Sequence, residues 1–198
     1  MKQFKGVLLI SAFVLLAGSD VAAQSHDASR DIQIRASVMA APPELRDGAT
    51  VLGYDSDGMF GSLRKGENHL ICVADDPSME GFSVACYHSD LDPYMRRGRA
   101  LRAEGRSPEE ILATRNAEVE AGILTMPVHP TTLYVLSGKE GRYNAVADSV
   151  EGAKVRFVIY VPYATPESTG LPVSPTAPGE PWLMDPGTHR AHVMIIPP

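Results

Sequence analysis

The chain has 198 residues, with 24 acidic and 18 basic side chains and a formal net charge of −6 at pH 7. An acidic balance disfavours nucleic-acid binding, which depends on neutralising phosphates. No apolar stretch after residue 23 reaches the roughly 20 residues of a membrane-spanning helix, so we expect no transmembrane segment in the mature chain.

Residues 1–23 have the pattern of a secretory signal peptide. Lys2 and Lys5 precede an apolar run over 6–18, and small residues occupy 21–23 before a cleavage point. The apolar run is too short to span a bilayer as an anchor. The sequence therefore predicts an exported protein, periplasmic or secreted, with its signal peptide removed.

The mature chain, 24–198, is predicted to form a single domain, long enough to bury its own core. Over 31–41 two apolar periods compete, one of a strand and one of a helix. We favour a short helix, because the segment ends in alanines and then Pro42-Pro43, which stop a helix. Strands are predicted next over 49–54 and 59–64.

Cys72 and Cys86 lie on two β-rich runs, 69–74 and 82–88, joined by a turn-forming loop. Two cysteines in an exported chain most simply form one disulfide, and period-two alternation puts both on the same face of a hairpin. A metal-binding pair and a reactive thiol are the alternatives. The spacing is typical of neither zinc knuckles nor C-x-x-C redox pairs.

A helix pair follows the hairpin. Asp92 is predicted to cap a first helix with Pro93 in its first turn and Gly105 at its end, and Ser107 begins a second helix with a capping box. Helices inserted among strands indicate an α+β fold, an antiparallel sheet with the helix pair after a disulfide-bridged hairpin.

The last third of the chain is predicted to be strands and one long loop. Strands are expected over 131–137, 142–146, 153–162 and 191–196, the last pairing with the strand that contains Phe157. Between them, about 162–187, seven prolines predict a loop with polyproline II character. Loops of this length in compact domains are often functional.

Several segments resemble a group of uncharacterised exported bacterial proteins. They are Ala49-Thr50-Val51, Leu63 to Asn68 with Cys72 four residues on, Asp76-Pro77, Cys86 and the closing His192 to Pro197. The resemblance implies export and a Cys72–Cys86 disulfide. The resemblance does not imply any activity.

Asp185, His189 and His192 are the candidate metal ligands, since imidazole and carboxylate groups together suit zinc or another divalent ion. A third histidine, His88 or His129, would be needed, because His189 and His192 fall on a turn and a strand. Hydrogen-bonded or surface histidines are the ordinary alternative. No other cofactor is expected.

Two further patterns have a structural and a functional interpretation. Trp182, in the proline-rich loop, either lines a ligand groove or pins the loop to the core. An arginine cluster over 96–106 either meets anionic groups or solvates a helix face beside glutamates. The sequence over 55–58 resembles a calcium loop, but Gly66 stands where the last acidic ligand belongs, so a turn is favoured.

Nothing in the sequence indicates nucleophilic catalysis: it has no G-x-S-x-G elbow and no phosphate-binding glycine loop. The leading hypothesis is therefore a non-catalytic exported domain that binds an envelope or extracellular partner. The alternative is a metal-dependent enzyme with its site around Asp185, His189 and His192.

Overall fold

The computed structural model describes residues 29–198, so the predicted signal peptide lies outside the described residues. Residues 29–37 are helical (α1) and continue into a 3₁₀ turn, Val38–Ala40, before a second one, Pro43–Leu45. The short helix predicted near this position is confirmed. It ends where the two prolines begin, since neither has an N–H to continue the hydrogen-bonding pattern.

Strands and further helices follow along the chain. In order they are β1 (Thr50–Tyr54), β2 (Phe60–Arg64), β3 (Leu70–Val73), β4 (Phe82–His88), α2 (Asp92–Ala103), α3 (Pro108–Glu120), β5 (Thr131–Gly138), β6 (Arg142–Asn144), β7 (Ser149–Glu151), β8 (Lys154–Tyr160), α4 (Pro166–Thr169), β9 (Trp182–Met184) and β10 (His192–Ile195).

One large sheet organises the fold, with strand order β2-β1-β3-β4-β5-β8-β10-β9. Every neighbouring pair is antiparallel except β1 and β3, because β2 folds back on β1 and the chain then crosses to the other side of β1. The α+β class is confirmed, as is the pairing of the last strand with β8. The strand predicted over 142–146 does not join this sheet: β6 pairs with β7 in a small hairpin.

The two cysteines form the expected bridge. Cys72 and Cys86 are direct partners across the β3–β4 ladder, their Cα atoms are 4.0 Å apart, and their sulfurs are bonded. Both are fully buried. Closing a loop of this length stabilises a domain by about 3 kcal/mol in the chain-entropy model.

Different segments cover the two faces of the sheet. On the face that carries Cys86, the residues Ala36, Val38 and Ala40 pack into the main core. Tyr87 points to the opposite face, because side chains alternate along a strand. There its hydroxyl donates to Asp92 Oδ1 (2.9 Å) and accepts from Arg99 Nη1 (2.7 Å), which attaches α2 to the sheet.

The helix pair is confirmed, but α2 begins differently from the prediction. Leu91 occupies the N-cap position and Asp92 is the first helical residue, so the Asp92 carboxylate is used for the Tyr87 and Arg99 contacts rather than as a cap. Helix α3 has the predicted capping box: Glu110 N–H donates to Ser107 Oγ (3.3 Å) and Ser107 N–H donates to Glu110 Oε2 (2.9 Å).

The proline-rich segment is not one continuous loop. Thr165 caps the short helix α4, and β9 forms the edge of the large sheet beside β10. Leu183 N–H donates to Pro172 O (2.8 Å), which ties the segment to that edge. The strand partner of β9, β10, lies outside the segment, so the segment's own proline pattern does not predict it. Over residues 29–198 no helix combines the length and apolar character needed to cross a bilayer.

Candidate functional site

An apolar groove lies on the face of the sheet that carries the disulfide. Strand register places Cys86, Tyr134, Phe157 and Ile195 in one row across β4, β5, β8 and β10. The rings of Tyr134 and Phe157 meet edge to face with centroids 6.0 Å apart. The row continues the core surface beyond the area that the N-terminal segment covers.

The groove has a volume of about 560 Å³. Its floor is formed by β5, β8 and β10, including Phe157 and Ile159, and its wall is the segment from Met39 to Pro43. Small-molecule sites are commonly concave, largely apolar and roughly 300–1,000 Å³ in volume. This groove falls within that range.

Arg46 is the one charged residue that lines the groove within the described part of the chain. Its Nε donates to Ala41 O (3.0 Å) and its Nη2 to Met39 O (3.3 Å), so the guanidinium is held against the wall by neutral groups. Over residues 29–198 no carboxylate lies within ion-pair distance of it. The guanidinium can therefore bind an external acidic group without first breaking an ion pair.

A second cluster lies on the opposite face, between the helix pair and the β9–β10 connection. We call Tyr94, Arg115 and His189 the helix-side cluster. The Arg115 guanidinium carbon lies 4.1 Å from the Tyr94 ring centroid, and the Tyr94 and His189 ring centroids are 6.1 Å apart. Three helical or loop segments, α2, α3 and the β9–β10 connection, each contribute one side chain.

Each member of the helix-side cluster has a buried polar atom without a hydrogen bond in the described chain. These atoms are the Tyr94 hydroxyl, Arg115 Nε and His189 Nε2. Tyr94 is 2% exposed and His189 6% exposed. Buried polar atoms nearly always have partners in native structures, so these three are exceptions to the rule.

The β9–β10 connection that presents His189 has an unusual backbone. Asp185 has a positive φ angle of 49°, and so does Tyr163, at 65°, which bonds to Thr188 of this connection. Tyr163 N–H donates to Thr188 O (2.7 Å) and Gly187 N–H donates to Ala164 O (2.8 Å), which hold this conformation. Non-glycine residues in such conformations concentrate at functional sites.

Burial decides the protonation of the cluster. It lowers the pKa of His189 below its usual range, with Arg190 and Arg115 adding repulsion, so the imidazole is held in its neutral form. Burial also raises the pKa of Tyr94, and raises that of the neighbouring Tyr160 to about 12. Both phenols therefore keep their protons and can donate hydrogen bonds.

One of the three candidate metal ligands, His189, belongs to this cluster, and the other two make separate contacts. The Asp185 carboxylate pairs with Arg190 (3.3 Å). His189 points into the helix-side cluster, while His192 lies on β10, stacked on Tyr160 with centroids 5.4 Å apart. Over 29–198 no three His, Cys, Asp or Glu residues stand close enough to share a metal ion.

The two further histidines, His88 and His129, stand apart from each other in their contacts. His88 stacks on His69 with centroids 4.8 Å apart and accepts from Asp90 N–H (3.2 Å). His129 is exposed, and only its backbone carbonyl is in a hydrogen bond, accepted from the Thr131 hydroxyl (2.8 Å). The metal site stays a prediction.

Trp182 is half-buried on β9, opposite Met194 of β10. It is not among the residues that line the groove. The alternation of β10 explains this, because Ile195 faces the groove and Met194 and its partner Trp182 face the other side. A role for Trp182 in ligand binding stays a prediction.

The arginines over 96–106 are mostly ion-paired. Arg97 Nη2 lies 2.7 Å from Glu118 Oε1, Arg99 pairs with Asp92 (3.1 Å), and Arg106 with Glu110 (3.5 Å). These contacts agree with the structural interpretation, in which the arginines solvate a helix face beside glutamates. The calcium-like segment is likewise a turn, in which Asp55 Oδ1 accepts the N–H groups of Asp57 and Met59 at 2.9 Å each.

Arg46, Tyr94 and Arg115 were not singled out from the sequence. No local motif marks them, because Tyr94 and Arg115 meet across two helices and Arg46 lines the groove beside strands that lie far away along the chain. One weak signal is Gly98 in the interior of α2, where glycine costs about 1 kcal/mol relative to alanine. A Cβ at Gly98 would lie 3.0 Å from Arg115 Nη1, so the glycine makes room for that arginine.

No protein-family model, curated protein or solved structure matches this chain.

Proposed function

We propose that this protein is an exported, non-catalytic binding domain whose groove holds one acyl chain with an anionic head group. The observation that carries the proposal is the apolar groove of about 560 Å³ with Arg46 at its wall. An alkyl chain fits a floor of aliphatic and aromatic side chains that offers few hydrogen-bonding groups.

The positive charge of Arg46 indicates that the head group is anionic. Arg46 is fixed by carbonyls of Met39 and Ala41, and its charge is unpaired in the described chain. A carboxylate or phosphate group beside it would form a charge-assisted hydrogen bond, which is roughly twice as strong as a neutral one. A cationic head group would be repelled from the same position.

Export is supported by the signal-peptide pattern over 1–23 and by the Cys72–Cys86 disulfide, since disulfides persist in oxidising compartments. Intact-mass spectrometry of native material tests this part separately. We expect a chain that begins at Gln24 with both cysteines oxidised. Retention of Met1 together with two alkylatable thiols would overturn it.

Calorimetric titration with alkyl carboxylates of six to twelve carbons tests the ligand. Burying one methylene contributes about 0.8 kcal/mol, so each added carbon should tighten binding about fourfold until the groove is full. Alkyl trimethylammonium ions of the same chain lengths should bind more weakly. Equal affinity for both head groups, or no dependence on chain length, would refute the proposal.

Two variants of matched size provide the control. Ile159 lines the groove, whereas Val128 is 88% exposed and is not part of the groove. Ile159→Trp should fill the groove and abolish binding, and Val128→Trp should leave the affinity unchanged. If sedimentation instead shows a dimer that only Ile159→Trp disrupts, a second copy of the chain occupies the groove and the acyl ligand is excluded.

A further inference from the structure

Met39 places a sulfur atom in the wall of the groove. It belongs to the 3₁₀ turn Val38–Ala40, whose other two residues are buried in the core. The Met39 side chain is only partly buried, and within residues 29–198 it is the one methionine that lines the groove. Its thioether is therefore within reach of solutes that enter the groove, and oxidants convert methionine to its sulfoxide.

The same sulfur touches the positive charge of the groove. Arg46 Nη1 lies 3.5 Å from Met39 Sδ, whereas Arg46 Nε and Nη2 donate to the carbonyl oxygens of Ala41 (3.0 Å) and Met39 (3.3 Å). A thioether sulfur is only a weak hydrogen-bond acceptor. Of the three guanidinium nitrogens, Nη1 is therefore held most weakly by the protein and is the most available to an anionic head group.

Oxidation of Met39 would replace this weak acceptor by a strong one. A lone pair of Sδ attacks one oxygen of hydrogen peroxide, so that an S–O bond forms and the O–O bond breaks. The second oxygen takes up the proton of the transferred oxygen and leaves as water, while the sulfur loses two electrons and the peroxide gains them. Methionine has three rotatable bonds, which lets the new oxygen turn towards Arg46 Nη1.

We propose that Met39 is an oxidative modification site, and that its sulfoxide weakens the binding of an anionic acyl ligand by occupying Arg46. The inference rests on the proposed function of the groove. Two effects act in the same direction, since Nη1 donates to the sulfoxide oxygen instead of the head group and the wall loses an apolar contact. Methionine sulfoxide reductases restore the thioether, so the change is reversible.

Calorimetric titration with decanoate, before and after treatment of the mature protein with hydrogen peroxide, tests the inference. Mass spectrometry of peptides shows which methionines carry the added oxygen. We expect oxidation of Met39 to weaken decanoate binding about tenfold, the loss of one hydrogen bond to a charged group. Thermal unfolding should remain cooperative, which separates weakened binding from loss of the fold.

Variants of matched size assign the effect to one sulfur. Met39→Leu keeps the volume but has no sulfur, so its decanoate affinity should be the same before and after peroxide. Met79 is 64% exposed and does not line the groove, so Met79→Leu should still lose affinity on oxidation. Met39→Gln carries an amide oxygen near the position of the sulfoxide oxygen and should bind decanoate weakly without any peroxide.

Three results would overturn the inference and leave the proposed function intact. They are unchanged decanoate affinity of protein whose Met39 is oxidised, an equal loss of affinity on oxidation of Met39→Leu, and a Met39 that stays reduced in the folded protein while Met79 is fully oxidised. Failure of decanoate to bind before any oxidation is a different outcome, because it refutes the proposed function and the inference together.

Discussion

A few side chains fasten the start of the sheet. Arg64 Nε donates to Ala49 O (3.0 Å), Gly66 N–H donates to Thr50 Oγ1 (3.0 Å), and Asn68 Nδ2 donates to Leu45 O (2.7 Å). These contacts attach the 64–68 segment to β1 and to the chain just before it.

Gly66 is the most constrained of these positions. A Cβ there would lie 2.2 Å from Thr50 N, a backbone atom that cannot move aside. We expect Gly66→Ala to lower the free energy of unfolding by about 3 kcal/mol, at the upper end for overpacking, as measured by urea denaturation. Gly61→Ala is the control, because a Cβ at Gly61 meets nothing within 4 Å; equal losses for both variants would contradict the steric explanation.

Helices α2 and α3 are joined by charge as well as by apolar contact. Arg97 Nε lies 2.9 Å from both carboxylate oxygens of Glu118, and Nη2 lies 2.7 Å from one of them. Helix α3 buries one large apolar side chain, Ile111. The ion pair therefore contributes to the position of α3, and with it to the position of Arg115.

This ion pair predicts a pH dependence of stability. The hydrogen bonds from Arg97 lower the pKa of Glu118 below its unfolded value of 4.5, so their contribution is complete above that pH and is lost as the pH falls through the folded-state pKa. Glu118→Gln should cost about 1 kcal/mol at neutral pH and flatten the acid limb of a stability profile measured by urea denaturation.

Glu140→Gln removes an exposed acidic side chain without an ion pair in the described chain, and it provides the control. Its acid limb should match that of the unmodified protein. A Glu118→Gln profile that is as steep as the unmodified one would refute the role of the Arg97–Glu118 pair.

The stability of the whole molecule depends on the segments that cover the two faces of the sheet. One face buries the disulfide under residues 36–41, and on the other face Leu91 and Tyr94 of the α2 segment are buried together with Tyr87 of β4. The N-terminal segment is also fastened at its far end, where Gln33 Nε2 donates to Tyr54 O (2.9 Å) and Gln33 Oε1 accepts from Tyr54 N–H (3.0 Å). It is an integral part of the core.

Charged substitutions test how far this covering supports the core. Val38 is 7% exposed and Ile32 is 40% exposed, on the same N-terminal segment. An unpaired buried charge costs about 3–5 kcal/mol, so Val38→Asp should destabilise the protein by that amount and Ile32→Asp by less than about 1 kcal/mol. Thermal and urea unfolding measure both; similar stability of the two variants would mean that the segment is not part of the cooperative core.

Local patterns were enough to predict the hairpin with its disulfide and the helix pair. Their signals lie within the elements themselves: alternation places Cys72 and Cys86 on one face, and Ser107 and Glu110 form a cap within one turn. The proline-rich segment was predicted less well, because α4 and β9 are stabilised by contacts with residues outside it.

Both candidate sites depend on tertiary contacts. The groove brings Arg46 beside Phe157 and Ile195, and the helix-side cluster brings Tyr94 and Arg115 beside His189. The sequence alone identified Asp185 and His189 as chemically notable without indicating what surrounds them. Hydrogen-bonding and apolar periods determine secondary structure over a few residues, whereas a site forms where distant segments pack together, and no local pattern records that packing.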